Sequence, residues 1–457
     1  MFRPALLIVA AGLAVLAIVN RDEATRTVTA LLTPVDQAHC ESADPYSKPA
    51  WERATPPAAA VTLGDASLLQ GVPGTGPLTA QQARRWLGEA ANHTPLSTHL
   101  PEGLLQATAD QRGLAENRLT RAKIELGRQL FFDPRLSIDS TLSCASCHDP
   151  DHGYADSRAV SVGVGGRVGT RNAPTLANRV FSASQFWDGR AGSLEEQALG
   201  PIANHVEMGL SLVELVERLQ AIEGYRLQFG AVFPDEPITA ESIVNAIAAF
   251  ERMLVAGPSS WDAHASLAAF ERANDEDLAI AQETPAEQRD TYDAELVTEH
   301  HELVQAAEAS PLSDAARRGA ELFFGDRTGC TQCHAGLNYT DEQYHNLGMG
   351  LEGITDDSDP TVDWGRYAVT GDEADRGAFK TPTLRNVAET APYMHDGTLG
   401  TLASVIDHYV AGGHENPWLS QRLEPLDLNT NEVADLVAFL EALTGPLPDV
   451  ATGRLPE

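Results

Sequence analysis

The chain has 457 residues, 43% of them apolar, which gives room for two or three domains with cores of their own. Its 65 acidic residues against 32 basic ones leave a formal charge of -33, which excludes nucleic acid as a partner and argues against docking to anionic lipid through a basic patch. The same excess permits steering of a basic redox partner, or serves solubility alone.

Arg3 and an apolar run from Ala5 to Val19, closed by Asn20, Arg21, Asp22 and Glu23, fit the core of an export signal. The run is short for a membrane span, and no Ala-x-Ala site follows it. Residues 1–23 are read as an uncleaved membrane anchor, with a cleaved signal peptide as the alternative. Residues 24–117 read as an irregular extension, with Pro- and Gly-rich linkers and short helices near Ala80–Ala91 and Glu102–Asp110. Cys40, alone among five cysteines in lacking a motif, reads as a free or intermolecular thiol.

From about Leu119 the chain repeats itself. Gly127-Arg-Gln-Leu-Phe-Phe132 and Gly319-Ala-Glu-Leu-Phe-Phe324 each predict a short amphipathic helix, with glycine placed for a close helix crossing. Each is followed by Cys-x-x-Cys-His: Cys144, Cys147 and His148, then Cys330, Cys333 and His334. That motif attaches c-type haem, the thiols joining the porphyrin vinyls and the histidine lying under the iron. No second cysteine pair lies near either motif, so a four-ligand zinc site fits less well. Apolar helices are expected at Ile243–Leu254 and Val433–Leu443. A first helix crossing a last helix around a haem is the plan of a cytochrome c domain. The fold class is therefore mainly α: two cytochrome c-like haem domains related by internal duplication, at 118–259 and 313–457. An acidic helical insertion, 260–312, separates them.

A second repeat sets a register. Pro174-Thr-Leu-Ala-Asn178 answers Pro382-Thr-Leu-Arg-Asn386, and Asp188-Gly189 answers Asp396-Gly397 without a gap. Trp187 then falls opposite His395, and Pro201 opposite Tyr409. Proline cannot ligate iron, whereas a tyrosine oxygen can. An open first iron beside a capped second one is an enzyme's arrangement. A peroxide site needs a base and a polar orienting group. Gln197 and Glu207 bracket Pro201, with His205 as a rival base, and Trp187 is placed either to pass electrons or to fill a core.

These segments together resemble the bacterial dihaem cytochrome c peroxidase family, in its MauG-like branch. The likeness spans roughly residues 118–445. It rests on LFFDPRLS, CASCH, RNAPTLAN, FWDGR, SLEEQALGPI and VEMG in the first half, and on GCTQCH, KTPTLRN, APYMHDG and VIDHY in the second. The resemblance implies a peroxidatic haem on Cys144, Cys147 and His148. Glu207 is then the acid–base carboxylate, Gln197 its companion and Trp187 the bridge. It implies a calcium ion held by the Asn172 side chain and the Thr390 and Pro392 carbonyls. An electron-relaying haem follows on Cys330, Cys333 and His334. Tyr409 stands where ordinary members carry a methionine ligand, with Met394 and Met349 as rivals.

The loop Ser161–Gly166 lacks the histidine that blocks the first haem in many relatives, which implies an open resting site. Thr328-Gly329 stands where the branch's protein-maturing member carries a surface tryptophan, so quinone formation is not implied. The expected function is an exported peroxidase reducing hydrogen peroxide with electrons from a small cytochrome c or cupredoxin. A MauG-like oxidase of a protein or organic substrate and a non-catalytic dihaem electron carrier are the alternatives.

Overall fold

The computed structural model describes residues 59–457, except 102, 105–110, 235–237 and 357–358. The export segment, Cys40 and most of the helix expected near 102–110 lie outside the described residues. Among those described, no helix is long and apolar enough to cross a membrane.

The described chain is mainly helical. A parallel strand pair, β1 (Ala59–Thr62) and β2 (Leu96–His99), flanks α1 (Ala80–Leu87). Then come α2 (Arg121–Phe131), α3 (Leu194–Ala203), α4 (Leu212–Ala221), α5 (Glu223–Val232) and α6 (Ala240–Glu251). A long hairpin, α7 (Ser260–Glu283) and α8 (Thr291–Ala309), occupies the acidic segment and packs on itself through Phe270, Leu278, Ala281 and Leu296. It is followed by α9 (Asp314–Phe324), the two-residue strands β3 (Tyr344–His345) and β4 (Phe379–Lys380) around α10 (Tyr367–Thr370), then α11 (Leu402–Val410) and α12 (Thr430–Glu441).

Two helix crossings organise the cores, and both depend on glycine. A Cβ on Gly127 of α2 would lie 1.8 Å from the Ala246 carbonyl oxygen of α6. A Cβ on Gly319 of α9 would lie 1.9 Å from the Asp435 carbonyl oxygen of α12. The backbones touch because there is no side chain between them. Aromatic residues close both crossings: the Phe131 and Phe250 rings are 5.1 Å apart, and those of Phe323 and Phe439 are 4.9 Å apart. Each buried phenylalanine is worth roughly 1.5–3 kcal/mol of transfer free energy.

Backbone conformation repeats with the sequence. Asn178 and Asn386 are both left-handed, at φ 61° and 56°. Asn178 Oδ1 accepts from Ala256 N and Asn386 Oδ1 from Gly445 N, so each asparagine caps the chain leaving the last helix of its own half. Tyr154 and Tyr339, and Phe186 and Met394, are further non-glycine pairs at positive φ. The halves meet through reciprocal bonds: Asn172 N donates to His395 O, and Lys380 N to Trp187 O, both at 2.7 Å.

The extension is less peripheral than its composition suggests. Val61, Leu63, Leu68, Leu69 and Leu100 are buried in one cluster with Ile124, Phe131 and Leu254. The C-terminal tail returns to the same region: Leu78 N donates to Leu455 O, and Arg135 Nη1 to Pro456 O. Trp261, at the base of α7, stacks on Phe324, and Asp262 forms a buried ion pair with Arg385 at 2.8 Å.

Candidate active site

The second motif opens with a single helical turn, Cys330–Gln332. His334 follows it, its Nδ1 bonded to the Tyr339 carbonyl at 2.9 Å. That contact fixes the tautomer with Nδ1–H donating and leaves Nε2 as a lone-pair donor. Burial lowers the pKa of His334, favouring the neutral ring that a metal requires. Beyond Cys330, Cys333 and His334 lies a cavity of about 440 Å³. Its walls include Phe323, Leu384, Leu402, Ile406, Leu436 and Leu440. A largely apolar cavity of this size, with two unoxidised thiols and one imidazole lone pair, fits a covalently held haem.

Tyr409, near the end of α11, lines this cavity. Burial first, then Cys333 and Cys330, push its phenol far above the usual range. Among the described residues no group hydrogen-bonds its hydroxyl, so the oxygen is available to a ligand in the cavity. Met394 and Met349 line the same space. The arrangement therefore brings all three expected rivals to one cavity.

The first motif repeats the local geometry. Cys144–Ser146 forms a turn, and His148 Nδ1 lies 3.2 Å from the Tyr154 carbonyl. Burial lowers the pKa of His148 as well, and burial first raises that of the Cys144 thiol. The paired thiols and buried neutral imidazole again fit a haem. Pro201 lies in the last turn of α3, and Gln197 stands one turn earlier on the same helix, half-buried.

Glu207 follows α3 in a tight turn. Its Oε1 accepts from Asn204 Nδ2 at 3.0 Å. Burial raises its pKa, against opposing effects of the Asn204 donor and the Arg190 guanidinium. Burial first raises the Cys147 thiol, and the Glu207 charge adds to that rise. The rival base His205 is exposed. The loop Ser161–Gly166 packs on this turn: Val164 N donates to Glu207 O at 2.8 Å, and a Cβ on Gly163 would lie 1.8 Å from Val206 O.

Trp187 lies where the halves meet, its main-chain oxygen accepting from Lys380 N. Its Nε1 donates to Asn172 O at 2.9 Å within its own half, and it lines the second cavity. Asn172, Thr390 and Pro392 lie on that wall too. Asn172 Nδ2 donates to Asp156 O and Arg158 O, and among the described residues no donor bonds its Oδ1. Neither the Thr390 nor the Pro392 carbonyl accepts a hydrogen bond among the described residues. Three neutral oxygens fit calcium completed by water.

The sequence did not single out Asn204 or Lys380. An Asn-x-x-Glu spacing after a helix was the available signal for Asn204. Lys380 lines the cavity wall, 2.7 Å from Glu342, and burial first lowers its pKa to about 8. No local pattern marks it.

Paired thiols and neutral histidines define a c-type haem protein of two centres, with the half-buried Glu207 carboxyl near the Cys147 thiol of the first. The chain belongs to the di-haem cytochrome c peroxidase family, whose profile, described as di-haem cytochrome c peroxidase, matches residues 121–269. It is 36% identical over 341 residues to the methylamine utilization protein MauG of Methylorubrum extorquens, covering 74% of this chain and 83% of that one. It is 35% identical over 333 residues to the cytochrome c551 peroxidase of Nitrosomonas europaea, covering 73% and 83%. A solved MauG-like protein associated with microbial copper homeostasis aligns with TM-score 0.60 and 32% identity, over 73% of this chain and 93% of its own.

Proposed function

We propose that this protein is an exported peroxidase that reduces hydrogen peroxide at the centre on Cys144, Cys147 and His148. The observation that carries this reading is the difference between matched positions: Pro201 offers no ligand atom, whereas Tyr409 lines the second cavity. When bound, haem at the first centre supplies the iron that takes up peroxide and passes it electrons. Glu207 accepts the proton of the bound peroxide at a carboxylate oxygen and returns it to the departing oxygen. Gln197 orients the ligand from one turn before Pro201. Trp187 passes electrons between the two halves, and His334 and Tyr409 would hold the second iron. Asn172, Thr390 and Pro392 would hold a calcium ion, which would supply charge and rigidity to that wall.

The repeated left-handed residues and the matched glycine crossings support an internal duplication, with domains at 118–259 and 313–457 and an insertion at 260–312. Export is supported by the apolar run from Ala5 to Val19 and by the c-type attachment motifs, and it puts the body in the periplasm, tethered where the run is retained. The acidic surface suits a basic donor such as a small cytochrome c or a cupredoxin.

A second reading, a MauG-like oxidase of a protein or organic substrate, is favoured by Tyr409 and by the MauG relatives. Adding peroxide to the resting holoprotein, then reduced cytochrome c, tests the first reading. Rapid oxidation of the cytochrome is expected. Peroxide reactivity without cytochrome turnover would favour the second reading. Two low-spin ferric signals and no peroxide reaction would leave an electron carrier.

A further inference from the structure

Asn204 closes α3, its backbone N–H donating to Gly200 O at 3.0 Å. Its side-chain Oδ1 accepts from Val206 N at 3.0 Å. Its main-chain oxygen accepts from both Glu207 N and Gly209 N at 2.9 Å. Because Oδ1 takes a backbone N–H, the other amide atom is the nitrogen, and it donates to Glu207 Oε1 at 3.0 Å. One residue thus sets the turn and grips the side chain at its end.

Building on the assignment of Glu207 as the proton carrier, we propose that Asn204 is the positioning residue of the peroxide site. It holds Glu207 Oε1 so that Oε2 is the oxygen that takes and returns the proton. The residue type supports this. A turn closed by a side-chain oxygen accepts asparagine or aspartate alike. Donation to a neighbouring carboxylate requires asparagine, since an aspartate there would set a second negative charge against the first.

The main chain of Glu207 is pinned from the other side by the segment 162–168. Val164 N donates to Glu207 O, Gly163 lies against Val206 O, and Arg167 Nη1 donates to His205 O at 3.0 Å. The charged and titratable groups around the carboxyl are therefore few. Arg190 reaches it, itself held by Asp188 at 2.9 Å. Arg167 and exposed His205 flank the turn, and Cys147 lies beyond it. With Arg190 engaged by Asp188, Asn204 is the direct hydrogen-bond donor to the carboxylate among the described residues. Removing that donor favours the protonated acid, which cannot accept a proton from peroxide.

The test uses the holoprotein with both haems attached, in N204D, N204L and E207Q forms. Peroxide consumption is followed by stopped flow across pH. The Glu207 carboxyl band, identified by its loss in E207Q, is titrated by infrared difference spectroscopy. N204D keeps the turn-closing oxygen, so it serves if N204L fails to fold. In both Asn204 variants the acid limb and the infrared midpoint should rise by roughly one pH unit, slowing the reaction about tenfold below the midpoint. Unmoved midpoints, or a rate lowered equally at every pH, would overturn the proposal. If E207Q keeps the acid limb, the assignment of Glu207 fails instead. The infrared midpoint of the Asn204 variants then still decides whether Asn204 grips that carboxyl.

Discussion

Replacing Glu207 with glutamine isolates proton transfer from geometry. Glutamine keeps the length of the side chain and an Oε1 that can still accept from Asn204 Nδ2, so the turn at 204–209 should survive. What disappears is the carboxyl that, on the proposed mechanism, takes a proton from peroxide and gives it back. General acid–base catalysis is worth roughly 10²–10⁴-fold, or about 2.7–5.4 kcal/mol of barrier. Glu207 is only partly buried, so water can substitute in part, and the loss should fall near about 10²–10³-fold. The pH profile carries the sign. Burial raises the carboxyl above the usual value of about 4.3, and only the deprotonated form is a base. The wild-type rate should therefore rise with pH through that raised midpoint, and the limb should vanish in the variant. Stopped-flow mixing with peroxide, followed in the Soret band, measures both quantities. A loss smaller than about tenfold, or an unchanged acid limb, would refute the reasoning.

Gly319→Ala should part α9 and α12, since its Cβ would meet Asp435 O at 1.9 Å and Phe439 Cβ at 2.8 Å; a cost of about 1–3 kcal/mol should appear as a lower calorimetric Tm. Asp262→Ala leaves the Arg385 guanidinium buried without its partner and should cost about 3–5 kcal/mol in denaturant unfolding. In the wild type, burial alone would raise the Asp262 pKa, but the Arg385 contact outweighs it and the net shift is downward. That stability is present above the unfolded carboxylate pKa of about 3.9 and is lost as pH falls through the lower folded value, so the variant should show a shallower acid transition. Tyr409→Phe removes the hydroxyl that lines the second cavity, and the ferric spectrum should gain a second high-spin component while both haems remain attached.

The two crossings were legible because each depends on a local pattern: one glycine at helical spacing from a pair of phenylalanines. The attachment motifs were legible for the same reason. The burial of Val61, Leu63, Leu68 and Leu69 was not. Their run is too short for a period to register, and their partners at 250–255 and in the returning tail are distant in sequence. The Pro-Thr-Leu-x-Asn repeat was visible as a repeat, but not its cause. Asn178 and Asn386 adopt left-handed backbones to cap chain near 256 and 445, contacts that spacing cannot reveal. In the candidate site, Glu207 stood out only through its place around Pro201 and the family likeness. Its partner Asn204 is local, yet an Asn-x-x-Glu pattern is too common to separate a clamp from an ordinary turn.

The two bonds joining the halves bear on how one scaffold carries two different centres. In the register of the repeat, Lys380 stands where Asn172 stands, and His395 where Trp187 stands. Asn172 N donates to His395 O, and Lys380 N donates to Trp187 O. Each bond is thus the other with the halves exchanged, the self-complementary pattern of a two-fold dimer interface. Backbone contacts alone cannot distinguish the two directions across such an interface. The asymmetry comes from side chains. One half presents an indole whose N–H is bonded to Asn172 O. The other presents an imidazole stacked 3.5 Å from the Phe379 ring, its pKa pushed down to about 4 by burial and so neutral at ordinary pH. Asn172 places an amide on the wall whose oxygen has no donor among the described residues, whereas Lys380 places a buried cation there against Glu342. A symmetric main-chain frame pairs the two loops, so these matched positions can diverge in chemistry while the backbone contact between the halves stays the same.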